Sequence, residues 1–180
     1  MPNLSLDAFD LEILKALQSE GRLSNVELAA RIGLSPSPCL RRVKRLEAEG
    51  VIEGYSARIN RAKVGRSVTA FVEVGLERHR EEEAERFRRV VLRLPDVVSC
   101  HAISGESDFL LEIAAEDLNH FSEFVLKRLR RIPGVKNLHT SFALETMKNT
   151  FSLRLEPGSL DHPRPTRRNR GHWTRRPGTR

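Results

Sequence analysis

Between Ser35 and Leu46 the chain carries Arg41, Arg42, Lys44 and Arg45 and no acid, although residues 1–60 hold eight cations and eight acids. Four cations in one short stretch, together with the small hydroxyls of Ser35 and Ser37, suit contact with phosphates and base edges. At 100° per residue, Cys39, Val43 and Leu46 share one helical face, and Ser37, Arg41, Lys44, Arg45 and Ala48 share the opposite one. Ser37, Arg41 and Arg45 are therefore the candidates for base or phosphate contact, and Arg42 and Lys44 for backbone phosphates. A second constellation is Gly105-Glu106-Ser107-Asp108. An acid in such a turn can accept from a ligand ammonium while the turn amides receive its carboxylate. Read alone, the same four residues make an ordinary hairpin turn. His79, His101, His120 and His139 share no metal-ligand spacing, and no Ser or Cys stands with a base that would activate it. No catalytic residue, metal or cofactor is expected.

The elements that would hold these residues follow from periodicity. Phe9, Ile13, Leu14 and Leu17 recur at helical spacing from Asp7 to Glu20, and Gly21 stops the helix. Ser24 and Glu27 form a capping box for a short helix over 25–32 that ends at Gly33. Ser35 is placed to N-cap a third helix, with Pro36 and Pro38 in its first turn and Gly50 beyond its end. Two short helices, a tight turn and a basic third helix predict a helix-turn-helix, whose last helix enters the major groove. Residues 51–59 read as an extended segment leaving it.

Beyond a hinge at about 61–66 the sequence repeats itself. Leu94-Pro95-Asp96-Val97 with His101 returns 38 residues later as Ile132-Pro133-Gly134-Val135 with His139, and Phe71-Val72 returns as Phe109-Leu110. Each copy reads strand, helix, strand: 68–75, 81–93 and 97–104, then 108–115, 117–131 and 135–144. Two such units give a ferredoxin-like βαββαβ sheet with both helices on one face. Val72, Val74, Val98, Cys100, Ala102, Leu111, Ile113, Leu138 and Phe142 suggest more apolar strand surface than two helices cover, which predicts sheet-to-sheet dimerisation.

The net charge of +7 is local, because residues 157–180 hold seven arginines against Asp161. That stretch also has Pro157, Pro163, Pro165 and Pro177 and one large hydrophobe, Trp173, so it is expected to be a disordered basic tail. Cys39 and Cys100 fit neither a disulfide framework nor a zinc site and are read as reduced core thiols. No segment has the roughly 18 apolar residues of a membrane span, and the first twenty residues lack the basic and apolar regions of a secretory signal, so a cytoplasmic protein is expected.

Three runs carry a resemblance: Leu23-Ser24-Asn25-Val26-Glu27-Leu28-Ala29; Gly33-Leu34-Ser35-Pro36-Ser37-Pro38-Cys39-Leu40; and Arg45-Leu46-Glu47-Ala48-Glu49-Gly50-Val51-Ile52-Glu53-Gly54-Tyr55. They closely resemble the DNA-binding domain of the leucine-responsive regulatory protein/AsnC family, the feast/famine regulators. The second half resembles that family's amino-acid-binding domain, with Gly105-Glu106-Ser107-Asp108-Phe109 matching its glycine–x–x–aspartate–aromatic turn and Pro133-Gly134-Val135 the start of its last strand. The resemblance spans residues 5–155. It implies an α+β chain: a winged helix-turn-helix over 1–60, a hinge over 61–66, and a ferredoxin-like ligand-binding and oligomerisation domain over 67–156. It also implies a transcription regulator that binds double-stranded DNA, forms a homodimer or octamer, and answers to a small effector, usually an amino acid, with Gly105, Glu106 and Asp108 as effector contacts. The basic tail over 157–180 lies outside the family pattern. Siroheme decarboxylases resemble the same architecture and use a histidine near the subunit cleft, for which Cys100-His101 is the nearest counterpart. A nonspecific architectural DNA-binding protein is the remaining alternative.

Overall fold

A computed structural model describes residues 5–77, 81–150 and 152–156. The expected tail and His79 lie outside the described residues. The chain divides into two compact units, one from the residues up to Ser56 together with those from Thr150 onward, the other Ala57–Asn149. Among the described residues no helix is long and apolar enough to cross a membrane.

The first unit contains α1 (Ala8–Ser19), α2 (Asn25–Ile32) and α3 (Pro36–Ala48). Both leading helices start in reciprocal boxes. Ser24 Oγ accepts from the Glu27 amide at 3.3 Å while Glu27 accepts from the Ser24 amide at 2.8 Å. Asp7 and Asp10 do the same for α1, at 2.9 and 3.0 Å. Gly33 ends α2 at φ 72°, a left-handed turn that suits a residue without Cβ. Ser35 occupies the N-cap of α3, but its side chain makes no cap bond. Pro38 sits at N3, which removes one of the two amides a cap hydroxyl could accept from and leaves the Ser37 amide as the other. Ile13, Leu28, Ala29, Cys39 and Leu46 form the core of this unit. Leu155 packs against it, and Gln18 exchanges hydrogen bonds with the backbone of Leu153 at 2.6 and 3.3 Å. Residues 152–156 thus lie with the helices and not with the sheet. Between Val51 and Asn60 there is no strand; the segment after α3 is tied at its root by the Val51 and Ile52 amides, which donate to Leu46 O at 2.9 and 3.1 Å.

The second unit contains β1 (Val68–Leu76), α4 (Glu81–Val91), β2 (Val97–Ala102), β3 (Phe109–Ala115), α5 (Leu118–Lys127) and β4 (Val135–Phe142). The sheet order is β2-β3-β1-β4 with antiparallel neighbours, the ferredoxin-like arrangement the repeat predicts. Phe87 of α4 is wholly buried and stacks on Phe109 with ring centres 4.7 Å apart. The segment 61–66 belongs to this unit: it forms a 3-10 turn over Ala62–Val64, with Arg61 on Glu112 at 2.8 Å and Arg66 on Asp96 at 3.1 Å.

Most of the apolar strand residues face the helices. Val72, Val74, Leu111 and Ile113 are wholly buried beneath the helices, Cys100 and Leu138 pack against the same core, and the Phe142 ring meets Phe121 edge-on at 5.0 Å. Most of these residues have the inward parity of their strands and are hidden by the two helices, whereas Val98, Ala102 and Phe142 remain exposed. By register the open face instead carries His101, Leu110, Glu73 and His139 in one row, with Phe71 and Glu112 beside them. That face is mixed, and of the residues named for surplus apolar surface Val98, Ala102 and Phe142 are the ones left open to a second copy.

Candidate DNA-reading helix and effector turn

α3 packs through Cys39 and Leu46, both wholly buried. Burial also raises the Cys39 thiol pKa, which disfavours the reactive thiolate. On the opposite side Ser37, Arg41 and Lys44 are exposed, Ser35 is exposed at the N-cap, and among the described residues Arg41 and Lys44 have no ion-pair partner. The structure separates the other two cations from these. Arg42 Nη1 donates to Asp7 Oδ2 at 2.6 Å and to Asp10 Oδ1 at 2.9 Å, with its guanidinium 5.5 Å from the centre of the Phe9 ring. Arg45 Nη2 donates to Asp10 Oδ2. Asp10 itself is wholly buried. The six sequence candidates therefore fall into an open group of four and a tethered pair. The tethering residues, Asp7 and Asp10, were not singled out in the sequence; an Asp-x-x-Asp box opening an amphipathic helix was the available signal.

One carboxylate of each leading box, Asp7 and Glu27, titrates low. Burial raises the Asp7 pKa, but the Asp10 amide and Arg42 outweigh it and bring it below its ordinary 3.8; the Ser24 hydroxyl and amide lower Glu27 from 4.5. A depressed carboxyl stabilises the fold above its unfolded pKa and loses that contribution as pH falls through the folded value. Stability of the helical unit is expected to fall below about pH 4.5. Glu27→Gln keeps the box but removes the titrating charge, so it should flatten that part of the profile in urea melts taken at stepped pH; a profile identical to the parent's would show that the charge of Glu27 contributes nothing.

The turn between β2 and β3 is shaped by two residues. Gly105 has φ 130°, a conformation side chains with a Cβ rarely adopt, and nothing lies within 4 Å of where a Cβ would stand. Asp108 Oδ2 accepts from the Leu76 amide at 2.8 Å, and the Asp108 amide donates to Val74 O at 2.9 Å. The carboxylate thus ties the turn to the end of β1. Ser107 Oγ donates to Glu73 Oε2 at 3.1 Å, while Glu106 is exposed at the tip. Cys100 and His101, adjacent in β2, have opposite parity: Cys100 packs on the core, and His101 lies across from Leu110. His120 faces Asp96 at 3.7 Å, beside the Arg66 pair. Among the described residues no group of three His, Cys, Asp or Glu could hold a metal ion.

Residues 6–53 match the winged helix-turn-helix DNA-binding family and residues 69–153 the Lrp/AsnC ligand binding domain. The leucine-responsive regulatory proteins of Salmonella typhimurium and Escherichia coli K12 are each 40% identical over 152 residues, which is 84% of this chain and 93% of theirs. The chain belongs to the Lrp/AsnC family. A transcriptional regulator from Neisseria meningitidis, solved as an L-Met complex, superposes with a TM-score of 0.80 at 43% identity, covering 83% of this chain and 97% of that one. An AsnC family transcriptional regulator from Agrobacterium tumefaciens gives 0.78 at 34% identity, over 83% and 97%. As an Lrp/AsnC protein this chain is a DNA-binding transcriptional regulator, with a helix-turn-helix unit and a ligand-binding domain that is separate from it along the chain.

Proposed function

We propose that this regulator binds a two-fold symmetric operator as a homodimer, or as an octamer built from such dimers. In this reading Ser35, Ser37, Arg41 and Lys44 of α3 meet the major groove, and half-sites lie about 34 Å or a multiple apart. The supporting observation is the exposed, acid-free side of α3 on a helix whose other side packs through the buried Cys39 and Leu46. Its effector is an amino acid held at the turn Gly105, Glu106 and Asp108, in which an acidic side chain meets the ammonium and turn amides meet the carboxylate. The L-Met complex of the Neisseria relative favours this class of ligand.

The protein acts by binding and catalyses nothing in this reading. Thermal shift against the twenty amino acids tests the effector: a ligand at 100 times its dissociation constant should stabilise the chain by about 2.7 kcal/mol. Footprinting at one selected site against bulk competitor DNA separates a regulator from an architectural protein. Flat melts with every amino acid, or tetrapyrrole absorbance in the purified protein, would overturn the effector reading in favour of another ligand or of an enzyme.

A further inference from the structure

Asp10 is a buried carboxylate where a neutral side chain would serve the helix equally well. Its role in the α1 box needs one oxygen, to accept the Asp7 amide, and an asparagine provides that. A buried charge instead requires partners, and Asp10 has two, both from α3: Arg42 on Oδ1 and Arg45 on Oδ2. Arg42 is held a second time by Asp7 and faces the Phe9 ring. Arg45 has its Nε buried without a hydrogen bond, and Glu49 stands 3.9 Å away. Two of the four cations of α3 are thus neutralised within the unit, beside two that are not.

Cations on phosphates supply affinity that is independent of sequence, and base-edge contacts supply discrimination. We propose that Asp10 is a specificity-determining residue: it withholds Arg42 and Arg45 from the DNA backbone and fixes them as struts between α1 and α3. The helix then meets DNA through Ser35, Ser37, Arg41 and Lys44 alone. This rests on the reading that α3 enters the groove.

The test uses the full chain and two duplexes, one selected by the parent protein from a random pool and one scrambled. Asp10→Asn keeps an acceptor for the Asp7 amide, removes the charge that holds Arg45 and leaves Arg42 on Asp7 alone. On scrambled duplex its logarithmic salt slope should steepen by about 0.9 as Arg45 reaches a phosphate, and by up to about 1.8 when Asp7→Asn is added to free Arg42 as well. One such contact corresponds to about 3.5-fold more affinity gained over a fourfold dilution of salt, and the preference for the selected duplex should fall. Asp7→Asn, which preserves an N-cap acceptor and removes one charge from Arg42, should shift the slope the same way by less; it decides the matter if Asp10→Asn does not fold. Adding Arg42→Gln and Arg45→Gln to Asp10→Asn should restore the parental slope, which a purely structural role of Asp10 would not do. Unchanged slopes in both asparagine variants, with Arg41→Ala still weakening binding, would overturn the proposal. If Arg41→Ala also has no effect, it is the placement of α3 in the groove that fails.

Discussion

Arg41→Ala is expected to weaken binding to a selected operator by about 1–3 kcal/mol, which is roughly 5- to 150-fold. Arg41 lies on the exposed side of α3 near Ser37 and Lys44 and has no ion-pair partner among the described residues, so its removal costs the fold little. Stability should stay within about 0.5 kcal/mol of the parent, as for surface positions generally. Arg42→Ala should behave in the opposite way. It leaves the Asp10 carboxylate short of a partner inside the unit, so the melting temperature should drop. Binding isotherms on selected and scrambled duplexes, at two salt concentrations, distinguish the contacts Arg41 could make. Loss confined to the selected duplex marks a base contact, and loss spread evenly over both marks a phosphate contact. Equal affinity of Arg41→Ala and parent on both duplexes would remove this side of α3 from the interface.

That contrast between Arg41 and Arg42 also shows how far the sequence could be read. The helix-turn-helix was legible because its signals are local: the Ser24 and Glu27 box, Gly33 in a left-handed turn, and prolines confined to the first turn of α3. The sheet was legible because the chain repeats itself, and a repeat of strand, helix, strand has few ways to bury its apolar faces. What failed was pairing across elements. Arg42 and Arg45 count as free cations on a helical wheel, because the wheel contains nothing of Asp7 and Asp10, 32 to 35 residues earlier. Likewise the apolar strand residues were recognised, but which side of the sheet they occupy depends on register, and a single-residue offset exchanges the two faces. Ser35 was expected to cap α3, yet the proline pattern that announced the helix removes one of the amides its hydroxyl would have bonded.

The turn before β3 is where a single substitution should separate ligand response from DNA binding. Asp108→Ala removes the acceptor for the Leu76 amide, whose 2.8 Å bond is partly buried, and an orphaned donor of that kind costs about 1–3 kcal/mol. For a domain of this size that corresponds to a fall in melting temperature of about 4 °C or more. The turn should lose its tie to β1 and with it the response to the amino-acid effector. Operator affinity without effector should remain within about tenfold of the parent, because the turn and α3 belong to different units and a 1.4 kcal/mol coupling is already a factor of ten. Asp108→Asn separates the two roles the carboxylate could have. Its amide oxygen can still accept from Leu76, so the melting temperature should recover, but no negative charge remains to meet an ammonium. A response lost in both variants assigns the charge itself to the effector, whereas a response regained in Asp108→Asn leaves the aspartate as a staple and moves the charged contact to Glu106, which is exposed at the tip of the same turn. The decisive readout is the effector-induced thermal shift measured beside operator binding on the same preparations. An Asp108→Ala protein that melts lower yet shows the full parental shift would exclude the turn from the ligand site.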